Sequence, residues 1–310
     1  MSGTRPFRFS GGLYSATSAA EWVEGARRLE SQGYDVLVTG DHFTPRFAPI
    51  SALMAAAVAT TTLRVGCTVF NNDFRHPLAL AKEVATADVL SGGRFELGIG
   101  AGWRKPEYDS LGIAFDSAAL RVSRFEEAVR VIKGAWEDGS FTFQGKHYVI
   151  TDYDGQPKPL QRPHPPILIG GGGSRVLSVA AREADVVGIL TRATSAGSLD
   201  WTEETDARLA QKVEVIRRAA GDRFDQLELN LYMWEVAVTD DRRAAAEAIA
   251  ARMSRPVDQV LESPYFLIGS MDAIIDKVVE LRERHHISYI SVFPPHTKAF
   301  APVVARLSGK

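Results

Sequence analysis

The chain has 310 residues, 45% of them hydrophobic and 24% charged, with a formal net charge of -2. That is an ordinary globular composition, and so balanced a charge excludes nucleic acid and an anionic membrane surface as expected partners. One cysteine, Cys67, rules out an internal disulfide and suits a reducing compartment. With no 18-residue apolar run and no signal-like N-terminus, a cytoplasmic protein without membrane contact is expected. The seven histidines lack metal-ligand spacing, so no metal is expected.

In chain order, apolar runs of strand length alternate with helix-periodic ones. "FRFSGGL" (7–13) reads as a first strand, and Ser18 with Glu21 then fits a capping box opening a helix that buries Trp22, Val23, Ala26 and Leu29. "DVLVTG" (35–40), "LRVGCTVF" (63–70) and "RFELGIG" (94–100) follow as strands two to four, separated by "ISALMAAAVATTT" and by a helix running from Pro77 to Gly92. A long helix carries Leu120, Phe125, Ala128, Val129, Ile132 and Trp136 at helical spacing. "PPILIG", "ADVVGIL", "LELNLYMWEVAV" (227–238) and "ISYISVF" (287–293) complete eight strands. Residues 138–166 form an aromatic, proline-rich insertion with a hairpin predicted around Gly145.

Eight strands alternating with helices over this length predict a single domain, 1–310, folded as a (β/α)8 TIM barrel with insertions; a doubly wound open sheet is the competing architecture. Barrel active sites form where strands end and the following loops begin. Polar and glycine residues gather at those ends: Gly40-Asp41-His42 after strand two, Asn71-Asn72-Asp73 after strand three, Gly98 to Trp103 after strand four, and four glycines, Gly170 to Gly173, after strand five. Gly171, Gly172, Gly173 and Ser174, opening a helix near Arg175, suit a phosphate held by backbone N–H groups and the positive end of a helix. The same residues also fit a tight turn capped by Ser174. The strand-four glycines, including Gly100 and Gly102, favour a flat ligand lying over small residues. Trp103 occupies the third glycine position of a dinucleotide fingerprint, which excludes that motif.

Taken together, "VTGDHF", "GGRFELGIGAGW" and "RPHPPILIGGGGSRVLSVAAREADVVGI" resemble the bacterial luciferase-like flavin barrels, over most of the chain and in the same order. The resemblance implies reduced FMN or the deazaflavin coenzyme F420 as cofactor, with the F420-dependent members the more similar. It implies that Gly172 and Gly173 bind the cofactor phosphate, that Asp41 contacts the cofactor, and that His42 is the active-site histidine. It also implies a strand-three bulge at Cys67, Thr68 and Val69 with a cis non-proline peptide, at Cys67–Thr68 or Thr68–Val69, and a homodimer. The family's sugar-phosphate dehydrogenases have a glutamate where this chain has Trp103, which argues against glucose-6-phosphate oxidation and makes Trp103 an apolar wall for substrate.

The expected activity is therefore hydride transfer between F420 and a small organic substrate. Luciferase-type oxygenation with reduced FMN is the close alternative, and a non-flavin sugar-phosphate barrel enzyme the distant one. A third is a flavin carrier without catalysis. His42 is assigned proton transfer, with a nearby carboxylate to orient it. Asn71 is the ligand candidate after strand three. Arg192, at the head of the loop "ATSAGSLDWTEE", is a candidate for a substrate anion or a phosphate. Phe43, Phe47, Phe74 and Trp103 suggest an uncharged, moderately hydrophobic substrate. His76, His147, His164 and His296 are read as structural.

Overall fold

The computed structural model describes residues 5–310. Its strands are β1 (Arg8–Gly12), β2 (Val36–Thr39), β3 (Arg64–Cys67), β4 (Phe70–Asn71), β5 (Phe95–Gly100), β6 (Phe141–Gln144), β7 (Val149–Tyr153), β8 (Ile167–Gly171), β9 (Val186–Ile189), β10 (Glu228–Met233), β11 (Glu235–Val238), β12 (Phe266–Gly269) and β13 (Ile287–Val292). Helices α1 (Ala19–Ser31), α2 (Pro49–Ala59), α3 (Pro77–Leu90), α4 (Lys105–Leu111), α5 (Ala118–Trp136), α6 (Ser174–Glu183), α7 (Asp206–Ala220), α8 (Arg242–Met253), α9 (Val257–Glu262), α10 (Met271–His285) and α11 (Thr297–Leu307) lie between and after them.

Parallel pairing runs β1–β2–β3–β5–β8–β9–β10–β13 and returns to β1, closing the predicted eight-stranded barrel. The competing open sheet is excluded by the β3–β5 pairing, which joins Val65 to Phe95. The insertion forms the expected antiparallel hairpin, β6 with β7. Glu127 of α5 holds its turn by accepting from the backbone N–H groups of Lys146, His147 and Tyr148 at 2.7–3.2 Å.

The seventh run departs from expectation. It breaks at Trp234, whose N–H donates to the Tyr265 carbonyl at 2.9 Å instead of continuing the barrel ladder. Beyond the break, β11 pairs with β12 in a separate two-stranded sheet. At α1, Ser18 caps as expected, accepting from Glu21 N–H, but the Glu21 carboxylate turns to the Thr17 backbone and hydroxyl.

Strand side chains alternate between the helix layer and the lumen. Phe9, Leu37, Val65, Leu97, Ile169 and Ile290 join the main core under the helices. Val36, Val38, Leu168, Val186 and Tyr289 form a second apolar cluster inside the barrel, with Val69 and Phe293 packed on it. The lower lumen is charged: Arg8 pairs with Glu96 at 2.9 Å and Glu228 at 3.4 Å, and Arg64 also holds Glu96. Burial works to raise the Glu96 pKa, but Arg8 and Arg64 outweigh it and hold it below the ordinary value. This paired floor seals the end of the barrel opposite the candidate site.

Candidate active site at the strand ends

His42 follows β2 at the barrel mouth, with about a quarter of its side chain exposed. Its Nδ1 lies 3.0 and 3.1 Å from the two oxygens of Glu107, a buried residue of α4. A carboxylate can only accept, so Nδ1 carries the hydrogen and donates. Nε2 then faces away as the atom able to exchange a proton. Glu107 also accepts from the Phe43 backbone N–H at 3.2 Å and pairs with Arg104 at 3.3 Å. Trp103 meets the His42 ring edge-on at 6.2 Å. The orienting carboxylate thus comes from 65 residues further along the chain, not from adjacent Asp41.

Asp41 is buried and occupied elsewhere. It pairs through both oxygens with Arg75, at 2.5 and 3.0 Å, and accepts from the Asn71 N–H at 3.1 Å. Burial favours loss of the Arg75 charge, but Asp41 overrides this and raises the Arg75 pKa. The pair ties the end of β2 to the turn after β4. Asn71 accepts from Asp73 N–H at 3.0 Å and from the Tyr108 hydroxyl at 3.1 Å, so its carbonyl oxygen is engaged within that turn.

The strand-three bulge stands where the resemblance implied, with the cis peptide at Thr68–Val69. Cys67 is buried, and burial raises its pKa well above the ordinary thiol value, so it packs as a neutral group. The bulge gives the strand-four glycines a packing reason. A Cβ at Gly98 would collide with the Cys67 carbonyl, and one at Gly100 would come 2.9 Å from a Val69 methyl. Gly102 has φ +74° and leaves no room beside the Tyr108 hydroxyl. Val69 also lies 3.0 Å from a Cβ at Gly170, so its side chain spans the glycines of two neighbouring strands and forms the floor of the mouth.

Two more of the strand-five glycines meet close neighbours: a Cβ at Gly171 would strike Val176, and one at Gly172 the Thr191 backbone. Gly173 meets nothing within 4 Å and is the N-cap of α6; Ser174 is the first helical residue rather than the cap, a correction to the sequence reading. No side chain caps this helix, so its first N–H groups are left for an outside acceptor. They open on a cavity of about 620 Å³ lined by Gly172, Gly173, Ser174, Arg192, Arg208, Lys212 and Arg218, together with Glu203 and Glu214.

Arg192 belongs to this glycine end, held by Asp200 at 3.3 Å and Glu203 at 3.6 Å, rather than beside Trp103. Its loop crosses toward strand four: a Cβ at Gly197 would come within 2.6 Å of the Lys105 N and 3.0 Å of the Trp103 carbonyl. Below the loop, Trp234 packs edge-on against Trp201 at 5.5 Å, and buried Glu204 pairs with Arg255. Burial pushes the Glu204 pKa up to about 7 against the pull of Arg255.

Phe43 stacks edge-on against Phe74 at 5.3 Å beside the mouth, whereas Phe47 turns outward onto Trp22. His147 meets the Ser123 hydroxyl at 3.0 Å and His296 meets Glu235 at 3.1 Å, in keeping with structural roles. Residues that sequence reasoning missed are Glu107, Arg75, Tyr108, Arg208 and Arg218. Only the spacing of Glu107 from Trp103 offered a signal, since it places the carboxylate one helical turn after the strand-four loop.

Fold and site together define a (β/α)8-barrel enzyme whose mouth holds a histidine oriented by Glu107 and, at the start of α6, a cavity lined by four basic side chains. The chain belongs to the luciferase-like monooxygenase family, whose profile matches residues 2–259. It is 32% identical over 166 residues to an FMNH2-dependent dimethylsulfone monooxygenase of Pseudomonas putida, a match spanning 52% of this chain and 46% of that enzyme. It is 31% identical over 279 residues to an F420-dependent glucose-6-phosphate dehydrogenase of Nakamurella multipartita, spanning 83% and 78%. The coenzyme F420-dependent tetrahydromethanopterin reductase from Methanopyrus kandleri superposes with a TM-score of 0.78 at 18% identity, over 98% of this chain and 99% of that one. The family's cofactor is a flavin or a deazaflavin.

Proposed function

We propose that this protein is a coenzyme F420-dependent oxidoreductase acting on a small organic substrate. The observation that carries the reading is the cavity beside Gly173. Four cations, Arg192, Arg208, Lys212 and Arg218, face it against two carboxylates, Glu203 and Glu214. Its volume of about 620 Å³ exceeds what one phosphate fills, and F420 has a longer and more anionic tail than FMN. The uncapped start of α6 would hold the phosphate, and the arginines of α7 the charges beyond it.

When bound, the deazaflavin would supply or accept the hydride. The chain's own part is positional. Glu107 fixes the His42 tautomer, leaving Nε2 to give or take a proton at the substrate. Val69 and the glycines around it provide a flat floor, Trp103 an apolar wall, and the loop bearing Gly197 a cover that excludes water.

A second reading, an FMNH2-dependent monooxygenase, is favoured by Glu203, which neutralises part of the cradle by pairing with Arg192 and Lys212 and so suits a shorter tail. Titration with F420 and with FMN, followed by tryptophan fluorescence, separates the two. F420 binding at least tenfold tighter supports hydride transfer, and an FMN preference supports oxygenation. Binding of neither returns the glycines to a sugar-phosphate ligand. The expected homodimer belongs to the same proposal: Val58 on α2 and Leu90 on α3 are exposed apolar side chains that a second copy would cover. Sedimentation at micromolar concentration checks it.

A further inference from the structure

The inward row of β2 runs Val36, Val38 and then Gly40. Above Gly40 lies the guanidinium of Arg46: a Cβ at Gly40 would stand 2.9 Å from Arg46 Nη1 and 3.2 Å from His42 Cδ2. Guanidinium and imidazole therefore converge over one glycine, on the lumen side of the mouth. Arg46 Cζ sits 3.7 Å from the centre of the Tyr14 ring. Tyr14 stacks on Phe293 at 5.8 Å, and Phe293 on Tyr232 at 5.7 Å with their planes only 8° apart. The cation ends a stack that runs along the wall formed by the ends of β10, β13, β1 and β2.

A guanidinium seated 3.7 Å over an aromatic ring is held from that side, and its remaining N–H donors stay available to a further partner. The neighbouring arginines are occupied: Arg75 by Asp41 and Arg104 by Glu107. Among the described residues Arg46 has no carboxylate partner. A planar fork of donors beside the proton-transfer residue matches a planar two-oxygen anion.

We propose that Arg46 binds a carboxylate or an isosteric oxyanion of the substrate and sets it beside His42. The substrate class is then a small organic acid anion, and the uncharged substrate suggested by the mouth aromatics is replaced by one with an apolar body and an anionic end. This inference rests on the reading of His42 as the residue at the reaction centre.

The test uses purified protein saturated with whichever of F420 and FMN it binds, or the protein alone if it binds neither. Acetate and benzoate are each titrated calorimetrically against their uncharged isosteres, acetamide and benzamide. The expected result is at least a tenfold preference for one or both carboxylates, lost in Arg46→Met and partly kept in Arg46→Lys, with cofactor affinity unchanged. Equal binding of acid and amide, no binding of either acid, or a preference that survives in Arg46→Met overturns the proposal. Weakened cofactor binding in Arg46→Met with the anion preference intact also overturns it and assigns Arg46 to the cofactor. If neither cofactor binds while the Arg46-dependent preference persists, the cofactor reading fails and the anion site stands. Should Arg46→Met not fold, Arg46→Gln takes its place.

Discussion

His42 and Glu107 face each other across the mouth, Nδ1 lying 3.0 and 3.1 Å from the two carboxylate oxygens, and the contact joins the loop after β2 to α4 beyond β5. A histidine held in this way has one tautomer and one working nitrogen. Replacing Glu107 by Gln keeps the size but lets the ring flip. Turnover is expected to fall about 10–100-fold with little change in KM, and His42→Ala to cost about 10²–10⁴-fold. A Glu107→Gln loss confined to KM would show that the pair positions substrate and not a proton.

Two adjacent glycines of the cradle should respond differently to one added methyl. At Gly172 a Cβ meets the Thr191 backbone, which cannot move aside, whereas at Gly173 it meets nothing. Gly172→Ala is expected to cost about 1–3 kcal/mol of stability, read as a lower melting temperature. Gly173→Ala should melt like the parent and weaken phosphate and cofactor binding several-fold, because the methyl stands where an anion approaches the α6 N–H groups. Equal effects at both positions would remove the cradle from the binding argument.

Glu204 gives a pH dependence with a definite sign. Its folded pKa, about 7, lies above the ordinary 4.5, so the folded state keeps a proton that the unfolded chain releases. Its contribution is complete below about pH 4.5 and is lost as pH rises through 7. Thermal melts of wild type and Glu204→Gln should therefore converge at pH 5 and diverge toward pH 8, with wild type losing ground. Parallel curves across that window would mean Glu204 stays ionised beside Arg255.

Removing the Asp41 charge leaves Arg75 half-buried without its partner. Asp41→Asn is expected to cost about 3 kcal/mol in urea unfolding, through the lost tie between β2 and the turn after β4. If Asp41 also touches the cofactor, as the resemblance implies, F420 or FMN binding falls beyond what the stability loss explains. A titration under folding conditions separates the two.

The strands and the barrel were legible because alternating periodicity and strand-end glycines are local properties of the chain. Trp234 was not: a run from 227 to 238 reads as one strand, and only the tertiary bond from its N–H to Tyr265 divides it. The glycines after strands four and five were correctly located, while much of their cause lay elsewhere, in Val69, Val176 and Thr191, which no local pattern links to them. Glu107 and Arg46 escaped for the same reason. Each acquires its meaning from a partner (His42 for one, Tyr14 for the other) that only the closed barrel brings within reach.

The loop from Arg192 to Glu204 leans on both halves of the cleft, with Arg192 lining the glycine cavity and Gly197 resting on the backbone at Trp103 and Lys105. It acts as a strut between two walls. Arg192 stands at one end of it, and at the other the backbone beside Gly197 carries Trp103, which lies edge-on to the His42 ring. One loop thus borders both ends of the cleft, so a substitution that shifts Gly197 would be felt at the Trp103 backbone as well as at Arg192.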